Sequence, residues 1–178
     1  MATVQTNVIK GDRFNACALQ KGDYGEILVR QFLEKRGYGI YQPVSMLPHP
    51  IDMIAWRRGI LSFAVEVKTK PACRKYPETG IEFYQYEHYL RFCETASIPL
   101  FIAFVDEERG EIYGNYLHEL DKPTEYGGMH YPKTIGHTGG KNVTRYFPLC
   151  NMEHLRDLTP AEINLLKKYT QNRIKGAA

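Results

Sequence analysis

The sequence predicts an α/β fold, a central mixed β-sheet flanked by helices, and three observations predict it. Apolar residues recur at helical spacing over residues 21–36, and two β-rich runs follow at 51–56 and 60–69. A continuous apolar run, PLFIAFV over 99–105, then has the character of a buried strand. Helices and strands that take turns along a chain cover a sheet rather than form a bundle.

Each element has its own signal. Up to about Gln20 no period is evident, and this arm is expected to be a short strand plus loop. Over 21–36 Tyr24, Ile27, Leu28, Phe32 and Leu33 line one helical face, and Gly37 stands where a helix stops. A strand-like piece at 38–44 is broken by Pro43, Pro48 and Pro50. The runs 51–56 and 60–69 flank Arg57, Arg58 and Gly59, which reads as a hairpin with glycine at the turn. Residues 82–96 read as helix. The 99–105 strand pairs with 111–117 through a second turn at Glu108, Arg109 and Gly110. Gly127, Gly128, Gly139 and Gly140 give 122–140 the chemistry of a loop, and a short strand is expected at 143–147. Thr159, Pro160 and Glu162 mark a helix start: an N-cap, a proline at the first helical position and a capping-box acid.

The 178 residues fit a single domain, with a core over about 21–120 and a C-terminal extension over 121–178 made of a Gly/Pro/His-rich loop and a basic helix. Hydrophobic residues make up 43% and charged residues 24%, which excludes disordered, collagen-like and coiled-coil chains. No run has the length of a membrane span or the character of a secretory signal, so a cytoplasmic location and no membrane partner are expected. Cys17, Cys73, Cys93 and Cys150 have no paired spacing and read as reduced thiols. None of the six histidines stands at ligand spacing from another His or Cys; His49, three residues before Asp52, is the one that approaches the motif below. No P-loop, dinucleotide loop or serine elbow is present.

The net charge is +3, but its distribution is uneven. Between residues 57 and 75, Arg57, Arg58, Lys68, Lys70, Arg74 and Lys75 face one acid, Glu66. Strand side chains alternate, so Glu66 and Lys68 share one face while Phe63, Val65 and Val67 take the other. Asp52 lies on the partner arm. Hydrolysis of a phosphodiester at neutral pH needs a nucleophilic water and cover for charge on the phosphate, and hard oxygen ligands holding a divalent cation supply both. Asp52 and Glu66 are such ligands, and Lys68 is a fixed positive charge beside them.

Pro50-Ile51-Asp52, followed by Glu66-Val67-Lys68 fourteen positions after the aspartate, resembles the signature of the PD-(D/E)XK nuclease superfamily, with one residue inserted before the aspartate. The resemblance covers about 21–120. It implies a restriction-endonuclease-like core of order αβββαβ, with Asp52, Glu66 and the carbonyl of Val67 binding Mg2+, with Mn2+ as a substitute, and Lys68 assisting catalysis. Archaeal Holliday junction resolvases in this superfamily carry a glutamate on the first helix, and Gly22-Asp23-Tyr24-Gly25-Glu26 resembles that position. Gln85 and Tyr89 are similar to a glutamine and a tyrosine that some branches carry on the next helix.

The expectation is a magnesium-dependent endodeoxyribonuclease with Glu26, Asp52, Glu66, Lys68 and Gln85 at its centre and Arg57, Arg58, Lys70, Arg74 and Lys75 positioning the phosphates of DNA. A chain with one site that cuts both strands favours a homodimer, with Leu165 and Leu166 on the last helix open either to that contact or to the core. Ordinary roles stay open for the same residues: an ion pair for Glu66 and Lys68, a turn for Asp52, a helix-dipole acid for Glu26, and surface and core positions for Gln85 and Tyr89. On the same fold, a noncatalytic nucleic-acid binder is the alternative, and an assembly protein with a fortuitous motif is a third reading.

Overall fold

Helix α1 runs over Lys10–Lys35, eleven residues longer at its start than the apolar period indicates. Ala16, Ala18, Leu19 and Gln20 are strong helix formers without a periodic apolar face, so propensity extends the helix where the pattern is silent. The arm expected as strand and loop is therefore helical from Lys10 onward. The helix closes as read: the Gly37 N–H donates to Glu34 O (2.9 Å) and the Tyr38 N–H to Leu33 O (3.1 Å), a Schellman pair. The computed structural model describes residues 10–43, 51–136 and 143–175, with side chains described over 20–43, 51–136 and 143–170. Pro48, His49 and Pro50, like His137, Gly139 and Gly140, lie outside the described residues.

The main sheet holds six strands: β1 (Gly39–Tyr41), β2 (Met53–Arg57), β3 (Ile60–Thr69), β5 (Leu100–Asp106), β6 (Glu111–Tyr116) and β11 (Glu153–Asp157), in that spatial order. The neighbours are antiparallel except β3 and β5, which run parallel because helix α2 (Phe83–Ala96) carries the chain back between them. The sheet is thus mixed, as predicted, and both predicted hairpins form.

Two cores sandwich it. On one face Leu28, Val29, Phe32 and Leu33 of α1 pack on Phe63, Val65 and Val67, together with Leu158 and with Leu166 of helix α4 (Pro160–Lys175). On the other, Tyr86 and Tyr89 of α2 and Leu117 and Leu120 of the short helix α3 (Leu117–Leu120) cover Ala64, Ile102 and Phe104. Burial of Leu166 at 0% exposure settles its role: it packs in the core rather than on a contact surface. The capping box at α4 forms, with the Thr159 N–H donating to Glu162 Oε2 (2.7 Å) and the Glu162 N–H to Thr159 Oγ1 (3.3 Å).

The segment expected as loop contains strands instead: β7 (Thr124–Tyr126) pairs with β8 (Met129–Tyr131), and β9 (Lys133–Gly136) joins β10 (Val143–Pro148) and β4 (Glu78–Glu82) in a small sheet. Gly127 and Gly128 turn the chain between β7 and β8, and Pro132 stands between β8 and β9, so these residues separate short strands, which a composition count cannot tell from a long loop. Arg145 on β10 anchors this layer to α2: its guanidinium lies 4.4 Å from the Tyr86 ring and donates to Asp121 Oδ1 (2.8 Å), while the Tyr86 hydroxyl donates to Asp121 Oδ2 (2.9 Å). The part set apart by sequence as an extension also supplies β11 to the main sheet and α4 to the main core.

Candidate active site

Strand β3 delivers Glu66 and Lys68 to one face, two residues apart, beside its buried parallel neighbour β5. Lys68 Nζ donates to Glu66 Oε1 (2.7 Å), and the Tyr89 hydroxyl donates to the same oxygen (2.7 Å). Glu66 is 8% exposed, so these donors hold its carboxylate in a single orientation. The Lys68 ammonium also lies 5.6 Å from the centre of the Tyr89 ring. Burial, and then the charge of Glu66, holds the Tyr89 phenol well above its usual range, so it remains a donor.

Asp52 precedes β2, and its backbone N–H donates to Val65 O (3.1 Å). Its carboxylate turns back toward β3, where Oδ2 accepts the Val67 N–H (2.7 Å). Amide groups two residues apart on a strand point the same way, so the Val67 carbonyl also emerges on the side of Asp52, beyond the last backbone pair of the ladder. The Asp52 carboxyl is pushed up to about 7, first by burial and next by the charge of Glu66; Glu26 adds to this, while the Val67 amide and Lys68 oppose it.

Glu26 comes from α1. The helix can approach the end of β3 because Gly25 lacks a side chain: a methyl there would lie 1.8 Å from Thr69 Oγ1. Gln42, just beyond β1, donates through Nε2 to Glu26 Oε2 (2.8 Å). Gln85 lies one turn before Tyr89 on α2 and contacts Tyr84 OH (3.2 Å) rather than either charged group. It lines a cleft of about 670 Å³ beside Lys68, together with Lys21, Lys70, Glu107 and Thr170.

The basic residues do not gather as expected. Arg57 pairs with Ile60 at the hairpin tip, six residues along β3 from Glu66, or about 20 Å at strand rise. Arg57 and Arg58 are therefore remote from the carboxylates. Arg74 gives its guanidinium to Glu108 (2.6 and 3.0 Å), and Lys75 is exposed with its ammonium 5.1 Å from the Tyr76 ring. Lys70 is drawn inward, where it donates to the Gly80 carbonyl; burial, then Lys68, lowers it to about 8 against the opposing charge of Glu82. Of the five, Lys70 alone lines the cleft.

Gln42, Lys21, Glu107 and Thr170 join the site without any local sequence signal. Glu107 Oε1 receives Lys21 (2.5 Å) and Thr170 (3.4 Å), while its buried Oε2 has no hydrogen-bond partner. No periodicity marks these positions, because their partners are 86 and 63 residues away.

The donor set suits a hard divalent cation. Among the described residues, Asp52 Oδ1 and Glu66 Oε2 receive no hydrogen bond, and the Val67 carbonyl emerges on the side of Asp52. The upward pressure on Asp52 comes first from burial and then from the charge of Glu66, and a bound cation would offset both. No three described carboxylate, histidine or cysteine groups are pre-assembled as a metal cluster, so the set is two acids and a carbonyl, with Glu26 outside it.

No protein-family model and no curated protein matches this sequence. Among solved structures, the chain is similar to the Holliday junction resolvase Hjc of Archaeoglobus fulgidus, an archaeal hyperthermophile, with a TM-score of 0.44 at 16% identity over 81% of this chain and 97% of that one.

Proposed function

We propose that this chain is a metal-dependent nuclease that hydrolyses phosphodiester bonds in DNA. The observation that carries the reading is the convergence of Asp52, Glu66 and Lys68: the Asp52 carboxylate accepts the Val67 N–H (2.7 Å), and the residues on either side of Val67 hold each other as an acid–lysine pair (2.7 Å). Tyr89 and Lys68 occupy one oxygen of Glu66 and leave the other to a cation, so Tyr89 acts as a positioning residue. Asp52, Glu66 and the Val67 carbonyl would hold Mg2+ or Mn2+. When bound, such a cation supplies electrostatic cover for the phosphate and acidifies water.

Lys68 contributes its own fixed charge, placed to neutralise a nonbridging phosphate oxygen or to orient the attacking water. Glu26, held by Gln42, adds a carboxylate whose charge acts on Asp52 and which serves as a proton acceptor. Gln85 and Lys70 offer hydrogen-bond donors along the cleft for the backbone of the bound strand.

The test is cleavage of labelled linear, single-stranded, flapped and four-way-junction DNA in magnesium, manganese or chelator, with Glu66→Ala alongside. Cutting should require metal and fall by at least about a hundredfold in the variant, while DNA binding persists. Equal cutting in Glu66→Ala would sink the assignment. One observation favours a noncatalytic nucleic-acid binder as the second reading: among the described residues no three ligand groups are already gathered around a point. Binding without cutting in any metal would select it.

A further inference from the structure

The face of the sheet that carries the candidate catalytic groups continues, toward its β1 edge, into two exposed aromatic rings. Met53 and Ala55 pack into the α1 core and Ile54 into the α2 core, so alternation places Asp52, Ile54 and Trp56 on the same face as Ala64, Glu66 and Lys68. Register adds β1: Gly39 pairs with Trp56 and Tyr41 with Ile54, while Ile40 packs on the opposite core. Tyr41 and Trp56 are thus diagonal neighbours on the catalytic face, about 7–8 Å apart.

The indole lies flat across the neighbouring strand. A methyl built on Gly39 would stand 2.5–2.7 Å from Trp56 Cε2, Cζ2 and Nε1, so glycine at this position lets the ring rest on backbone. Trp56 nevertheless stays 45% exposed and Tyr41 58% exposed. At this end of the sheet Arg57 turns to the opposite, α1 face, where it donates to the Arg36 carbonyl (2.9 Å) and lies 4.8 Å from the Tyr38 ring, while the Arg36 guanidinium lies 4.1 Å from the Phe32 ring; Arg58 is exposed at the turn that follows Trp56 and Arg57. Glu34, the acid of the last turn of α1, faces Arg30 at 3.8 Å, and the three arginines have no acidic partner among the described residues.

We propose that this aromatic ledge, with the exposed Arg58 of the adjacent turn, binds an unpaired stretch of the nucleic-acid strand whose backbone enters the candidate active site. A flat, accessible aromatic ring takes the face of a base and a nearby cation takes a phosphate, as sequence-tolerant single-strand binding requires. Bases inside a duplex have both faces covered by their neighbours, so only a frayed, flapped or single-stranded base reaches Trp56. Trp56 stands four residue steps from Asp52, about 13 Å at strand rise, which spans roughly four nucleotides at helical rise. The inference rests on the nuclease reading for its substrate, a DNA with unpaired bases a few nucleotides from the cut, and it gives Arg58 a place that the carboxylates do not.

Trp56 is the single tryptophan of the chain, so its emission reports this ledge alone. The full-length protein in chelator is titrated with a short oligothymidylate and with a blunt duplex, following emission and the anisotropy of labelled DNA. Oligothymidylate should change Trp56 emission saturably, and its affinity should fall about tenfold in Trp56→Ala and in Tyr41→Ser while Trp56→Phe retains most of it. The blunt duplex should leave emission unchanged. Constant emission at saturating oligothymidylate, or affinity untouched in both Trp56→Ala and Tyr41→Ser, overturns the proposal. So does emission that shifts with protein concentration alone and a dimer that dissociates in Trp56→Ala, which would assign the ledge to a second copy. Metal-dependent cutting with a silent Trp56 removes the ledge and keeps the nuclease; emission changes with no cutting in any metal do the reverse.

Discussion

Asp52 is under two pressures that a titration can separate. In the metal-free chain its carboxyl is pushed up to about 7, first by burial and then by Glu66, yet it must ionise to bind a cation. Magnesium affinity should therefore rise by up to about tenfold per pH unit below about pH 7 and level off above it. Asp52→Asn should weaken binding and flatten that profile in calorimetry. Stability carries the opposite sign. A folded value above the ordinary 3.8 favours the protonated, folded form, so the contribution is complete below about 3.8 and is lost as pH rises to about 7. In chelator, the stability of the parent relative to Asp52→Asn should decline over that window, measured by urea midpoints; a constant difference would contradict the buried-acid account.

At the scale of elements, the packing of α1 on β3 depends on one missing side chain. A methyl at Gly25 would lie 1.8 Å from Thr69 Oγ1, an oxygen that is itself buried without a hydrogen-bond partner. Gly25→Ala gains about 1 kcal/mol of helix propensity, but overpacking costs about 1–3 kcal/mol, and sterics win. The single variant should be less stable than the parent and lose activity as Glu26 is carried away from Asp52. Thr69→Ala sacrifices no hydrogen bond and leaves only the Cβ contact of 3.1 Å, so Gly25→Ala/Thr69→Ala should recover most of the stability that Gly25→Ala loses in urea unfolding. A double variant as unstable as Gly25→Ala would show that the contact is not what limits the approach.

For the whole molecule, the C-terminal portion is structural rather than appended. Strand β11 covers the edge of β6, and Leu158 and Leu166 are 6% and 0% exposed in the core that α1 shares with the sheet. Each buried leucine contributes about 1.5–3 kcal/mol against a total stability of about 5–15 kcal/mol, and the bared β6 edge invites association. A chain ending at residue 148 should lose cooperative unfolding and aggregate, by circular dichroism and light scattering. A monomeric, cooperatively folding fragment would return the tail to the role of an appendage. Among the described residues, no helix is long and apolar enough to cross a membrane.

The sequence by itself determined what is encoded within a few residues. The alternation in 60–69 places Glu66 and Lys68 on one face, Gly37 ends the first helix, and Thr159 with Glu162 starts the last. Strands without a local apolar signature were not legible: β4 is buried despite the polar Glu78, Thr79 and Gly80, and β11 is a charged edge strand. Tertiary structure alone decided which distant residues meet. It brought Tyr89 to Glu66 across 23 positions and Gln42 to Glu26, scattered the basic run between the hairpin tip and the cleft, and laid Trp56 across Gly39. Side-chain period is a property of a single element, whereas these meetings depend on strand order, register and the parallel crossover through α2, which are fixed only when the whole sheet forms.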